Sequence, residues 1–153
     1  GHMIVVAGGE MCTCGNRGCW ERYASATAII REGRKFAAAH PDCALAKAVN
    51  GDLERIEART VIDLAKAGDP DALKLFGNYV DMLCVGLVTL INLYDPEIIA
   101  LGGGVSQAGE FLLNAVRERM PALVFYKGMP YARIELAQLG NDAGIIGAAM
   151  LGK

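Results

Sequence analysis

Apolar residues along this chain fall into two rhythms, one that suits helices and one that suits short buried strands. A β-branched run over 4–7 ends at Gly8-Gly9 and reads as a strand entering a turn. Over 20–39, apolar positions recur at Tyr23, Ala26, Ile30, Gly33 and Ala37, the three-and-four spacing of an amphipathic helix that Pro41 stops. A second helical stretch over 59–67 ends at Gly68, and Asp69-Pro70 then supplies an N-cap and a proline for the first helical position. The longest helix starts there. Leu73, Phe76, Val80, Leu83, Leu87 and Leu90 or Ile91 line one of its faces, and Asp95-Pro96 ends it. The apolar run over 98–101 meets Gly102-Gly103-Gly104, the pattern of a buried strand running into a backbone-dense loop. A helix over 109–120, a strand over 134–138 and a closing helix over 144–151 complete an α/β order.

At 153 residues, with 53% hydrophobic and 21% charged, the chain has the size and composition of one folded domain. No repeat, low-complexity tract or linker divides it, so 1–153 is read as a single unit. A lone strand at the start is nonetheless abrupt for a sheet-based domain, whose parallel strands want neighbours, and the unit reads as a fragment of something longer. The net charge of −2 leaves no basic footprint for nucleic acid or an anionic membrane, so neither is expected as a partner. The longest apolar stretch, 82–91, is half of the roughly 20 residues a bilayer requires and is read as part of a buried helix. With no secretion signal pattern in view, a cytoplasmic location is the expectation.

Three of the five cysteines change the picture. Cys12, Cys14 and Cys19 stand within eight residues, with Gly15 and Gly18 between them to let the backbone fold around a tetrahedral centre. Thiolates are soft ligands that suit zinc, and a disulfide between Cys12 and Cys14 would be strained. The loop over 12–20 is therefore read as a zinc loop. A fourth ligand must come from elsewhere. His2 stands a strand and a turn ahead of Cys12, whereas His40 ends a helix about 30 Å long. His2 is the candidate, although Gly1-His2-Met3 is also what a cleaved expression tag leaves behind; a tag-derived His2 can still take the ligand position, and if it frays Glu10 or water can complete the shell. Glu21 has two readings on its own chemistry: a carboxylate suited to a first helical turn, or an acceptor for a hydroxylated ligand held by the metal-clamped loop. Cys43, in a loop after Pro41, and Cys84, in the long helix, read as free thiols.

The stretch Gly1-His2-Met3, then Cys12-Thr-Cys-Gly-Asn-Arg-Gly-Cys-Trp-Glu21, resembles the signature of the ROK family (repressor, open reading frame, kinase). The segments 23–28, 95–105 and 140–149 are also similar to family segments, so the likeness runs from end to end. It implies the C-terminal portion of an actin-like, ribonuclease-H-like ATPase fold in a glucokinase-type sugar kinase, which moves a phosphoryl group from ATP, with Mg²⁺, to a hexose. It also implies that His2, Cys12, Cys14 and Cys19 hold a structural Zn²⁺, that His2 and Glu21 reach the sugar, and that Gly102, Gly103 and Gly104 approach the nucleotide. By itself the glycine triplet is neither a dinucleotide fingerprint nor a P-loop, and Gly144 and Gly147 are explained by packing alone.

In this family the general-base aspartate, the phosphate-holding glycine segments and a glutamate shortly before the Gly-His pair all precede the stretch seen here. Asp69 and Asp142 read as N-caps and Asp95 as a residue before a helix-stopping proline, so no catalytic base is assigned. The expectation is a chain inactive alone, partnered by an N-terminal domain and pairing as a homodimer. The alternative is the effector-binding domain of a ROK transcriptional repressor. The Cys-Trp-Glu-Arg-Tyr-Ala-Ser run favours the kinase.

Overall fold

The computed structural model describes residues 1–151; Lys153, the far boundary of the expected unit, lies outside the described residues. The helices are α1 (Ala26–Ala39), α2 (Ala44–Ala48), α3 (Ala58–Lys66), α4 (Pro70–Tyr94), α5 (Glu110–Leu123) and α6 (Ala143–Met150), and the strands are β1 (Ile98–Leu101) and β2 (Arg133–Leu136). Single 3₁₀ turns fill 20–22, 53–55, 104–108 and 140–142.

Local chemistry sets the helix ends. The Asp69 carboxylate accepts from the Ala72 N–H at 2.8 Å, and Pro70 occupies the first helical position. At the other end Asp95 turns left-handed (φ 41°) ahead of Pro96, and the long helix stops as expected. α1 begins later than its apolar spacing suggests. Ser25 is extended and its hydroxyl accepts from the Ala28 N–H at 3.2 Å, so the helix starts at Ala26 and 20–22 forms a separate 3₁₀ turn. Cys43 lies at an unexpected helix start, where its sulfur accepts from the Ala46 N–H at 3.4 Å.

α4 is the centre of the molecule, packed against α1, α3 and α5. Phe76, Val80, Leu83, Leu87 and Ile91 are buried on it, as the apolar spacing requires, with Ala72, Tyr79, Cys84 and Gly86 widening the face. Leu73 is not on that face and is 42% exposed, because Ala72 takes the inward position one residue earlier. Pro70–Tyr94 is the one helix among the described residues long and apolar enough to cross a membrane, at a mean hydropathy of 1.5. Packing on three neighbouring helices accounts for that apolarity. Val61, Leu112, Val116 and Met120 from the facing helices, with Ile56 from the segment before α3, close the core, and Phe76 stacks on Phe111 with ring centroids 4.7 Å apart.

The strands pair in parallel, Ile98 opposite Arg133 through Leu101 opposite Leu136, and α5 makes the crossover between them. Arg117 of α5 donates to the Ile134 carbonyl through Nε (3.2 Å) and Nη2 (2.8 Å). The strand expected over 4–7 does not form. Its backbone groups are used instead by the returning arm of the cysteine loop, and only isolated bridges, Ile4 to Cys19 and Met11 to Arg17, are made. α6 buries none of its side chains, and Ile145 and Leu151 remain 74% and 88% exposed.

Burial pushes the Cys84 thiol from 9.0 to about 11 and the Tyr79 hydroxyl from 10.0 to about 12. Both groups are acids neutral in the fold, so the unfolded chain loses their protons first. The stability these two groups contribute is therefore fully present below pH 9.0 and lost as pH rises toward about 12. Urea midpoints measured from about pH 9 upward are expected to fall, with a smaller fall in Cys84→Ala. A midpoint that rises from pH 9.0 to about 12 would contradict the burial of both groups.

Candidate functional site

Residues 1–23 form the site by lacing two arms of backbone together. The Gly18 carbonyl accepts from the N–H groups of Val5 (2.9 Å) and Val6 (3.2 Å), and the Gly18 N–H donates to Glu10 (2.9 Å). Further along, Trp20 N–H donates to Met3 and Glu21 N–H to Gly1, both at 2.8 Å. Gly18 has φ 81°, and a Cβ there would run into the Val6 carbonyl, so only glycine allows the arms to meet. Inside the loop, Cys12 N–H donates to Asn16 at 2.8 Å and Gly15 N–H to Cys12 at 3.0 Å, turning the three cysteines toward one point.

His2, Cys12, Cys14 and Cys19 each offer one ligand atom, and these atoms lie within 4.8 Å of one another. Cys12 Sγ is 3.5 Å from His2 Nδ1, and Cys14 Sγ is 3.6 Å from Cys19 Sγ. A tetrahedral zinc with sulfur ligands at about 2.3 Å has ligand–ligand edges of about 3.8 Å, slightly shorter where nitrogen replaces sulfur. The donor set and its spacing thus fit zinc. A hydrogen bond from the Cys14 backbone N–H leads the effects that bring the Cys12 thiol down to about 6. Burial and the neighbouring sulfurs push Cys19 up to about 12. His40 is not part of the cluster. It stacks on Phe36 at 4.2 Å at the exposed end of α1. Glu10 is also absent from the cluster, and its backbone N–H donates to the Tyr23 hydroxyl at 2.7 Å.

The second ring nitrogen of His2 points the other way. Nε2 is 3.6 Å from Glu21 Oε2, and both side chains are about half exposed. A histidine with one nitrogen on the ligand side and the other on a carboxylate has its ring orientation fixed from both directions.

Trp20, between Cys19 and Glu21, received no role from the sequence beyond opening a helix. Its indole sits against α4 at Gly86, and Nε1 donates to the Met82 carbonyl at 2.8 Å. The available signal was its position, a lone tryptophan between a metal-ligating residue type and a carboxylate.

Gly102, Gly103 and Gly104 follow β1 at its carboxyl end, the edge at which open α/β sheets bind ligands. Gly103 has φ 90°, and the Cβ positions of Gly103 and Gly104 face open space. Ser106 Oγ donates to the Gly103 carbonyl at 2.6 Å. A groove of about 290 Å³ runs from Trp20 and Ala24 past Leu83 and Leu87 to Gly102 and Ser106. Among the described residues that line it there is no carboxylate. Asp69 is the N-cap expected of it, whereas the Asp142 side chain makes no capping bond and the residue lies in the 3₁₀ turn before α6.

The ROK family profile matches residues 1–153. The glucokinase of Thermotoga maritima is 37% identical, over 99% of this chain and 47% of its own length. A xylose repressor from Bacillus spizizenii is 28% identical, over 99% of this chain and 35% of its own length. The crystal structure of a ROK family glucokinase from Streptomyces griseus, in complex with glucose and AMPPNP, superposes with a TM-score of 0.89 at 38% identity, covering 99% of this chain and 49% of that one. The chain spans about half the length of the curated glucokinases it matches. Matched by the family profile from end to end, with the cysteine loop and glycine segment both in place, the chain belongs to the ROK family.

Proposed function

We propose that this chain is the zinc-carrying C-terminal part of an ATP-dependent hexose kinase of the glucokinase type. The observation that carries the reading is the two-sided contact of His2, with Nδ1 on the Cys12 sulfur and Nε2 on the Glu21 carboxylate. A metal held on one side would fix the acceptor presented on the other. His2, Cys12, Cys14 and Cys19 would hold zinc, and four protein ligands leave it no open position, so its role is structural. When bound it supplies folding free energy to a loop with little apolar surface of its own. Glu21, with His2, would accept hydrogen bonds from sugar hydroxyls. The backbone of Gly102, Gly103 and Gly104 would stand beside ATP, with Mg²⁺ and the general base supplied in the longer protein. Half of the cleft cannot position both reactants, so the chain alone is inactive.

A second reading, the effector-binding domain of a ROK repressor, is supported by the xylose repressors among the relatives. They reach 26–28% identity against 36–37% for the glucokinases, and the kinase reading is the one we adopt. The exposed aromatic residues Tyr94, Phe125 and Tyr126 support the further reading that the protein pairs as a homodimer.

Metal analysis is expected to give one zinc per chain, lost in Cys12→Ser and Cys19→Ser with a lower melting temperature and retained in Cys84→Ala. Full zinc content in Cys19→Ser would remove the cluster as the site. In a coupled assay with glucose and Mg-ATP the chain alone gives no turnover, while the protein joined to its N-terminal part does. There Glu21→Gln raises KM for glucose about 10- to 100-fold, the worth of a charge-assisted hydrogen bond. An unchanged KM takes Glu21 out of the sugar site, and no turnover in the joined protein points to the repressor reading. Light scattering is expected to report a dimer, and a monomer at micromolar concentration counts against pairing.

A further inference from the structure

The metal loop has few means of attaching itself to the core. Two of its large apolar residues, Ile4 and Met11, are 59% and 52% exposed. The backbone of the loop bonds mainly to itself. Trp20 is the exception. Its ring reaches α4, where Gly86 is buried and lacks the side chain that would block it. A Cβ at Gly86 would overlap Cε2, Cζ2 and Cδ2 of the indole. The indole N–H donates to Met82, one turn earlier on the same helix, across 62 positions of sequence. A glycine in a helix interior costs about 1 kcal/mol relative to alanine, so α4 gives up helix stability at the one place where the ring enters.

What hangs on that ring is the rest of the site. Cys19, fully buried, precedes it and Glu21 follows it. The backbone N–H groups of Trp20 and Glu21 hold Met3 and Gly1, the residues on either side of His2. Moving the indole therefore moves a metal ligand, the carboxylate and the histidine together. The same ring lines the end of the groove that leads to Gly102 and Ser106.

We infer that Trp20 is a positioning residue, which by keying into the Gly86 notch of α4 fixes where the metal loop and Glu21 stand relative to the groove. The inference rests on the reading of Glu21 as a hexose contact. It adds a residue that acts through Glu21 without touching the sugar.

Gly86→Ala fills the notch while favouring the helix, and Trp20→Phe keeps a ring but removes the N–H donor. In the protein joined to its N-terminal part, both variants are expected to keep one zinc per chain. Gly86→Ala raises KM for glucose about tenfold and Trp20→Phe about threefold, with kcat within about twofold of the unaltered enzyme. Calorimetric glucose binding follows KM. Unchanged KM in both variants with zinc retained, or a fall in kcat at constant KM, overturns the positioning role, whatever happens to the melting temperature. A separate arm needs no sugar. Trp20 is the sole tryptophan of the chain. Adding zinc to the chelator-treated chain is expected to change its emission, and to leave the emission of Gly86→Ala unchanged although the metal is taken up. If the unaltered enzyme does not take glucose, the hexose reading falls and this arm decides: a response confined to the unaltered chain supports the coupling, and the same response in both overturns it.

Discussion

The contact between Gly18 and the Val6 carbonyl is the constraint from which the site follows. Two arms of backbone meet there more closely than any side chain allows. Because they meet, the N–H groups of Val5 and Val6 find an acceptor, and the chain on either side is held in antiparallel register from Gly1 to Glu21. His2 is then brought beside a cysteine ten positions later, and its far nitrogen beside Glu21. No long secondary structure is needed. A loop with almost no core of its own reaches a defined shape through hydrogen bonds, one glycine and one indole anchored on a helix.

Where the sequence could be read, local chemistry and periodicity agreed. α4 was legible at both ends, because Asp69-Pro70 and Asp95-Pro96 are strong signals and the apolar face between them keeps one period. β1 was legible as a strand because a short apolar run meets three glycines, but not as a buried one: Ile98 and Ala100 are exposed and only Leu101 is buried, since β2 is its one strand neighbour among the described residues. The start of α1 was not, since Trp20, Tyr23 and Ala24 keep a helical spacing ahead of Ala26 and hide the cap at Ser25. α2 has five residues, too few to show a period, and its cap is a cysteine. The run over 4–7 has the composition of a strand, yet composition cannot say which segment will accept its hydrogen bonds, and here that is the loop itself.

The cysteine cluster was legible from spacing alone, since three thiols with two glycines between them restrict what the backbone can do. The pairing of His2 with Glu21 was suggested only by likeness to a family, and the direction of each ring nitrogen came from the structure. Trp20 was invisible as a structural link. Its partner lies on another helix, and glycine in a helix carries no mark that says whether its missing side chain is a weakness or a socket.

α6 has a thermodynamic consequence of its own. It has eight residues, two of them Gly144 and Gly147, and isolated helices shorter than about 12–15 residues are marginal in water. Within the described residues it buries nothing, so the usual source of helical stability, an apolar face pressed against a partner, is missing. Helix–coil cooperativity alone does not hold such a segment. Any surface that covered Ile145 and Ile146 would add the burial term that α6 lacks, and the helix would then be more stable in the covered state than in the free one.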